Sequence, residues 1–208
     1  MARGQLAIVL HAHLPYVRHP EFPSFLEERW LFEAMMECYL PLLQRFRDLS
    51  RQGIPFRLTL VLTPTLVHML RDEVLSSRFH EHLLALQELA RREEARLAGS
   101  PDERKLAGFY RNRFDSVQNT WEECGHDIVG AFAELEERGH LEIMTCAATH
   151  GFLPLLSVVP QAVKAQVAVA TAEHRRHFGR AARGFWLPEC GYYPGVDEVL
   201  TRHSPQPA

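Results

Sequence analysis

Apolar residues along the chain follow two periods, which predict different secondary structures. Continuous apolar runs predict four strands, at residues 6–10 (LAIVL), 56–62 (FRLTLVL), 141–145 (LEIMT) and 184–187 (GFWL). The first run has the pattern of a strand that is buried on both faces and stops at His11. Apolar residues at helical spacing predict helices over residues 25–49, 78–138 and 160–178. The alternation of strands and helices predicts a parallel α/β sheet with right-handed crossovers.

Local signals mark where the helices begin and end. Thr63 and Pro64 supply an N-cap and a first helical residue directly after the second strand. Residues 100–103 (SPDE) match a capping box with proline at the first helical position. Gly179 is placed to end a helix, whereas Pro41 is expected to break or kink the first one. Within the long helical region, one apolar stripe is predicted to consist of Phe79, Leu83, Leu86, Leu89 and Ala90.

Polar side chains follow each predicted strand at the point where the strand ends. Because the carboxyl ends of parallel strands meet at one edge of a sheet, chemistry in such folds is concentrated there. The sequence therefore predicts a polar rim at this edge, made of His11, His13, Thr63, Thr65, Thr149, His150 and Glu189.

Composition and charge narrow the classes of function. The chain has 208 residues, with 23 Lys and Arg against 26 Asp and Glu, so that its formal net charge is −3. This balance, with scattered basic residues, argues against a nucleic-acid partner. No apolar run approaches the roughly 18 residues of a membrane helix, and the protein is expected to be cytoplasmic, with reduced cysteines. A complete α/β barrel takes about 250 residues, so a barrel of this kind would be incomplete here.

His11 and His13 lie two residues apart at a strand end, and their side chains are expected to point the same way. Such a pair can hold a divalent metal, bind the hydroxyls of a polar ligand or have a purely structural role with its hydrogen bonds satisfied. A metal site needs further ligands, for which His150, Glu189 and Asp127 are the plausible additions. The sequence leaves these three readings open.

Glu189 lies in a segment of aromatic, proline and glycine residues, GFWLPECGYYPG at 184–195. Sugars stack on aromatic faces, and a fixed carboxylate beside such faces is the nucleophile of a retaining glycosidase. Trp186 and Tyr192 would supply these faces. The equally weighted alternative is that the aromatic residues belong to the core and that Glu189 is a surface turn residue.

Three segments of the chain resemble conserved regions of glycoside hydrolase family 57, and in particular of its 1,4-α-glucan branching enzymes. They are HAHLPYVRHPE at the start, LEIMTCAATHGFLPLL in the middle and GFWLPECGYYPGVDEVL near the end. The resemblance implies an α/β fold, with residues 1–200 as the N-terminal portion of an incomplete parallel (β/α)7-type barrel that contains a helical insertion. It also implies retaining cleavage of α-1,4-glucosidic bonds with transfer to a 6-hydroxyl, on α-glucans such as amylose or glycogen, with neither a metal nor another cofactor.

The resemblance also implies roles for individual residues. Glu189 matches the catalytic nucleophile of the family. The matching substrate-binding residues comprise three histidines at the sugar subsite, two aromatic residues that shape the pocket and one weaker substrate-facing candidate: His11, His13, His150, Trp186, Tyr192 and Trp30.

The sequence departs from the family pattern after the nucleophile. The acid/base aspartate of the family lies in a fourth region that has no counterpart here, and Asp197 follows Glu189 so closely that it is expected to cap or open a helix instead. Residues 201–208 form an atypical polar, proline-rich tail, as a truncation or frameshift would produce. The isolated chain is therefore expected to have no appreciable branching activity.

Several other functions remain open at this point. A 4-α-glucanotransferase or an α-amylase of the same family is the nearest alternative. The others are a non-catalytic fragment that binds glucan and a metal-dependent hydrolase that uses His11 and His13.

Overall fold

The computed structural model describes Gly4 and residues 6–203. The strands in this part of the chain are β1 (Val9–Ala12), β2 (Leu58–Leu62), β3 (Leu141–Cys146) and β4 (Phe185–Trp186). The helices are α1 (Glu28–Ala34), α2 (Leu40–Arg51), α3 (Pro64–Leu70), α4 (Glu73–Arg96), α5 (Pro101–Glu123), α6 (Ile128–Glu137), α7 (Leu153–Leu156), α8 (Pro160–Phe178) and α9 (Val196–His203). A π-helical turn (Met35–Tyr39) joins α1 to α2, and a 3-10 turn (Pro188–Cys190) follows β4.

The strands form one sheet in the order β1-β2-β3-β4, and each neighbouring pair is parallel. In register, Leu10 lies opposite Leu60, Leu60 lies opposite Ile143 and Cys146 lies opposite Trp186. The predicted parallel α/β class is confirmed. Because the strands are parallel and adjacent in chain order, their carboxyl ends form one continuous edge.

The first strand differs from its prediction. It begins at Val9 and runs to Ala12, so that His11 lies within the strand and not after it. The apolar run before it is not buried on both faces, since Leu6 is 86% exposed and Ile8 is 44% exposed. In the described part of the chain β1 pairs with β2 alone, and the continuous apolar pattern does not distinguish such an end strand from a central one.

The first compact unit of the chain contains the sheet. Its described residues are those up to Tyr16, Leu49–Met69 and those from Phe132 onward. Helix α8 has the predicted bounds, and Gly179 ends it with a left-handed φ of 70° while its N–H donates to the Arg175 carbonyl. Asp197 lies in the first turn of α9, as predicted, and α9 extends through residues 201–203 of the expected tail. Residues 204–208 lie outside the described part of the chain.

The second unit, Val17–Asp48 and Leu70–Ala131, contains α1, most of α2, α4 and α5, and it includes most of the helical region that was predicted over residues 78–138. The rings of Phe79 and Trp121 meet edge to face at 5.0 Å, and both residues are fully buried. The predicted stripe on α4 is wrong at one position, because Leu89 is 45% exposed while Gln87 is buried. The amide of Gln87 donates to Asp115 at 2.9 Å, which satisfies this polar group inside the unit.

Two predictions about helix ends also need correction. Ser100 precedes α5, but its side chain makes no capping hydrogen bond, although Pro101 occupies the first turn as expected. Pro41 does not break its helix, since α2 continues to Arg51; a π-helical turn that ends at Tyr39 changes the winding just before it, and the alternative of a kink stays a prediction. In the residues that the structure describes, no helix is long and apolar enough to cross a membrane.

Folding stability is expected to rise with pH between about 4 and 6.5, in part because of His174 on α8. Burial and the nearby Arg180 and His177 lower the pKa of His174 from 6.5 to about 4. Between these two values the unfolded chain binds more protons than the folded chain, so the contribution of His174 is complete above pH 6.5 and is lost as the pH falls to 4. One such group gives a slope of at most about 1.4 kcal/mol per pH unit.

Chemical denaturation at several pH values from 5 to 6.5 measures this slope, in a range where most carboxylates stay ionised. The variant His174→Leu has a side chain that does not titrate and that suits the ring of Phe178 beside it. Its slope should be shallower than that of the wild type. Equal slopes for the two proteins would contradict the assignment.

Candidate active site

The carboxyl edge of the sheet carries five of the seven residues that the sequence singled out. His11 lies on β1, His13 follows this strand, and His150 follows β3. Trp186 is the last residue of β4, and Glu189 lies in the 3-10 turn after it. All five belong to the first unit, and we call them the carboxyl-edge cluster.

The rings of the carboxyl-edge cluster stack on one another. His13 lies almost parallel to His150, with centroids 3.7 Å apart and planes 10° apart. His11 stacks on Trp186 at 5.6 Å and lies 5.3 Å from His150. The rings of His11 and His13 have centroids 6.5 Å apart, and each of them contacts the ring of His150, so the two side chains converge on the same residue.

A chain of polar contacts connects the carboxylate to the histidines. Oε1 of Glu189 lies 3.8 Å from Nδ1 of His150, and Nε2 of His150 lies 3.1 Å from Nε2 of His11. In the tautomer with its proton on Nδ1, His150 would turn an N–H toward the carboxylate and could accept a hydrogen bond from His11 at Nε2. The side chain of Glu189 is 74% exposed while that of His150 is 7% exposed. The carboxylate is therefore accessible to a ligand, and the imidazole of His150 lies on its buried side.

Two threonines after β2 support the ring of His13, as the predicted rim suggested. The hydroxyl of Thr63 lies 3.2 Å from Nδ1 of His13 and 3.3 Å from the hydroxyl of Thr65. Thr63 itself is fully buried at the start of α3. This contact fixes the orientation of the His13 ring through a group that cannot move freely.

Gln166 on α8 is a supporting residue that the sequence analysis missed. Its side-chain oxygen accepts from the backbone N–H of Thr149 at 2.9 Å, and its amide donates to the Thr149 hydroxyl at 2.7 Å. Its backbone carbonyl accepts from Ala148 at 3.1 Å. Together these contacts hold the segment that leads into His150. A glutamine in the middle of a helix carries no sequence signal for such a role.

Strained backbone is concentrated at the functional side chains. His150 has φ of 56°, Glu189 of 51° and Cys190 of 56°, a left-handed conformation that costs non-glycine residues on the order of 1–2 kcal/mol each. The turn at Glu189 is held by hydrogen bonds from Cys190 N to Leu187 O at 2.9 Å and from Gly191 N to Pro188 O at 3.0 Å. Strain that is held in this way indicates a site where side-chain direction matters more than stability.

Gly191 is required by a close approach and not by its φ of −76°. A Cβ atom at this position would lie 2.3 Å from Cε2 of Phe152. The ring of Phe152 therefore lies directly against the turn that presents Glu189. Any side chain at Gly191 would displace either the ring or the turn.

The three histidines of the cluster are held neutral. Burial, together with the charges that His150 and His11 would carry, lowers the pKa of His13 from 6.5 to about 4. Burial also lowers the pKa of His11 and of His150, and the carboxylate of Glu189 opposes both shifts. Neutral imidazoles can each donate and accept a hydrogen bond, which suits the hydroxyls of a sugar.

The stacking bears on the alternative of a metal at this edge. A metal ligand directs a ring-plane lone pair at the ion, whereas His13 and His150 present their flat faces to each other. Asp127, a suggested further ligand, belongs to the second unit, where it pairs with Arg71 at 3.2 Å and accepts from Gly130 N. This stacking disfavours a single ion bound jointly by His13 and His150.

Two of the predicted residues are not among these contacts. Tyr192 follows Glu189 by three residues and is 62% exposed. Trp30 lies on α1 in the second unit and is 50% exposed. Their assignment as substrate-binding residues stays a prediction.

Fold and site together define an α/β chain with an exposed carboxylate and neutral histidines at the carboxyl ends of parallel strands. The model of glycosyl hydrolase family 57 matches residues 7–203. The chain belongs to this family, and its sheet with the helical insertion is a portion of the (β/α)7-type barrel of these enzymes.

Known relatives carry two activities. The 1,4-alpha-glucan branching enzyme TK1436 of Thermococcus kodakarensis is 40% identical over 199 residues, which are 95% of this chain and 29% of the relative. The alpha-amylase AmyC of Thermotoga maritima superposes with a TM-score of 0.92 at 44% identity, over 97% of this chain and 38% of that structure. The branching enzyme of Pyrococcus horikoshii superposes with a TM-score of 0.86 at 38% identity, over 92% and 36%. The chain thus spans about a third of the length of these relatives.

Proposed function

We propose that the carboxyl-edge cluster binds and attacks the donor strand of an α-glucan, with Glu189 as the nucleophile of a retaining 1,4-α-glucan branching reaction. The observation that carries the proposal is the placement of Glu189. Its carboxylate is exposed on a strained turn, 3.8 Å from a buried neutral histidine and next to the stacked pair of His11 and Trp186. A left-handed backbone costs stability, so it is not expected at a surface turn residue that has no function.

In the first step an oxygen of Glu189 attacks the anomeric carbon, the bond to O4 of the next glucose breaks, and a β-linked glucosyl-enzyme forms. The leaving O4 takes a proton from a general acid. In the second step the 6-hydroxyl of another glucan strand attacks the same carbon, gives up its proton to the conjugate base and releases Glu189. The acceptor glucan then carries an α-1,6 branch.

The histidines and Trp186 have distinct parts in this proposal. Neutral His11 and His13 donate hydrogen bonds to sugar hydroxyls, and they do so without a positive charge that would oppose the developing oxocarbenium ion. The indole face of Trp186 offers an apolar surface beside the reacting sugar. His150 orients the Glu189 carboxylate from its buried side through Nδ1.

The proposed reaction also needs a general acid/base, and the carboxyl-edge cluster contains no second carboxylic acid besides Glu189. Because a positioned general acid commonly contributes 10²- to 10⁴-fold in rate, we propose that the chain by itself binds glucan but forms few branches. The likeness to AmyC supports a second candidate, in which water replaces the 6-hydroxyl as the acceptor.

Affinity electrophoresis in glycogen-containing gels tests the binding half of the proposal. The wild-type chain should be retarded, and Trp186→Ala should weaken glycogen affinity by roughly 10-fold, because a stacked aromatic face is removed. Phe109→Ala is the control, since it removes a 56% exposed aromatic side chain from α5. An unretarded wild type, or equal losses in the two variants, would contradict binding at the cluster.

Incubation with amylose tests the catalytic half in the same preparations. Proton NMR counts α-1,6 linkages, and a reducing-end assay counts hydrolysis. Retardation with neither product agrees with the proposal, whereas branching at the rate of full-length relatives would refute the expected inactivity. New reducing ends without branches would favour the amylase alternative.

A further inference from the structure

A second cluster of histidine and glutamate side chains lies in the helical unit, apart in sequence from the residues of the proposed glucan reaction. His80 lies on α4, Glu122 is in the last turn of α5, and His126 follows this helix. Each residue offers one candidate ligand atom, and the three atoms all lie within 4.8 Å of one another. Among the residues that the structure describes, no other group of three meets this condition.

The three side chains are arranged around a common space. Nε2 of His126 lies 3.1 Å from Oε2 of Glu122, and the rings of His80 and His126 have centroids 5.7 Å apart. Nδ1 of His80 is buried without a hydrogen-bond partner. A buried nitrogen without a partner is costly, and coordination through this atom would supply the missing partner.

Rigid structure holds the cluster in place. The ring of His126 stacks on Trp121 at 4.7 Å with planes 14° apart, and Trp121 is fully buried against Phe79. The N–H of His126 donates to Trp121 O and that of Gly125 to Glu122 O, which together close the end of α5 in a Schellman motif. His126 itself has φ of 65°. The backbone thus fixes a histidine in a direction that an ordinary helix end would not give.

We propose that His80, Glu122 and His126 bind a zinc ion that clamps α4 to the end of α5. Two imidazoles and one carboxylate are a donor set that suits zinc, whereas magnesium and calcium prefer oxygen ligands alone. Three protein ligands leave a fourth position for water, and Glu122 and His126 are about half exposed, so that an ion can enter from solvent. The nearby carboxylate of Asp127 is already paired with Arg71.

Isothermal titration of the metal-free chain with zinc chloride tests the proposal. We expect one zinc per chain, and a melting temperature that rises with zinc concentration because the ion binds the folded state. Glu122→Gln and His126→Asn should each weaken zinc binding at least about 10-fold, since even the loss of an outer partner of a metal ligand costs 10- to 100-fold. Asparagine tolerates the left-handed φ at position 126.

Two control variants separate this site from other histidines. Glu173→Gln removes the carboxylate from a similar pair on α8, in which Nε2 of His177 lies 3.2 Å from Glu173, and it should leave zinc affinity unchanged. The double variant His11→Asn with His13→Asn should also bind one zinc. Binding that is lost in either control, or retained at wild-type affinity in both cluster variants, would overturn the proposal, as would a wild type that binds no zinc.

Melting temperatures without zinc identify any variant that is simply unfolded. If one cluster variant is unfolded, the other decides, and His80→Gln provides a third. An affinity loss in a variant with the wild-type metal-free melting temperature is a loss of the site and not of the fold.

Discussion

Replacing Glu189 with glutamine is expected to lower the rate of glycosyl transfer by ~10⁴-fold or more, because the amide is too weak a nucleophile to form the glucosyl-enzyme. The substitution keeps the size and the exposed position of the side chain. It should also keep the left-handed backbone at residue 189, because the strain there does not depend on whether the side chain ends in a carboxylate or an amide. A change in rate therefore reports on the nucleophile and not on the turn.

The choice of donor makes this test possible with the chain as it is. Fluoride leaves an α-glycosyl fluoride with little need for a proton, so that the first step does not depend on a general acid. In this step the carbon–fluorine bond breaks, the bond between C1 and the Glu189 oxygen forms, and fluoride ion departs. Fluoride release from α-maltosyl fluoride measures the rate, and 5-fluoro-α-glucosyl fluoride slows the second step enough for mass spectrometry to find the glycosyl-enzyme.

Glu142→Gln is the matched control. Glu142 lies on β3 in the same sheet, its side chain is 41% exposed, and it lies 3.7 Å from Arg183. The control should release fluoride and accept the label as the wild type does. A label on any peptide other than the one that contains Glu189, or fluoride release that persists in Glu189→Gln, would refute the assignment of the nucleophile.

The part of the site that could be predicted from the sequence is the part that topology determines. Parallel strands in chain order bring their carboxyl ends together, so His13, His150 and Glu189 could be expected at one edge from the strand pattern alone. The bounds of α8 were equally accessible, since proline at its start and glycine at its end are strong local signals. Membership of the family, which the three motifs implied, is confirmed by the match over residues 7–203.

Features that depend on tertiary contacts could not be predicted in this way. The strain at His150 and Glu189 has no sequence signature beyond the nearby Pro188 and Gly191. The hydrogen bonds between Gln166 and the segment before His150 could be predicted only by knowing which face of α8 meets that segment. Similarly, His80 and Glu122 are on different helices, and only the packing of α4 against α5 brings them together.

Removal of the Arg78 side chain is expected to destabilise the helical unit strongly. Its guanidinium pairs with Glu28, which is only 1% exposed, and it also donates to the backbone carbonyls of His19 and Phe22. Arg78→Ala leaves the carboxylate of Glu28 buried without its counter-charge. Breaking a buried pair in this way typically costs about 3–5 kcal/mol, which for a chain of this size lowers the melting temperature by roughly 10 °C.

Thermal denaturation followed by circular dichroism measures this loss, and two further variants identify its cause. Arg96→Ala removes an arginine of similar reach from an exposed pair with Glu93 on α4, and it should leave the melting temperature unchanged. The double variant Glu28→Leu with Arg78→Met removes both charges and keeps apolar volume, so it should be more stable than Arg78→Ala alone. If the double variant were no more stable than Arg78→Ala, the uncompensated charge would not be the cause of the loss, and the hydrogen bonds to the two carbonyls, which both variants lack, would account for it instead.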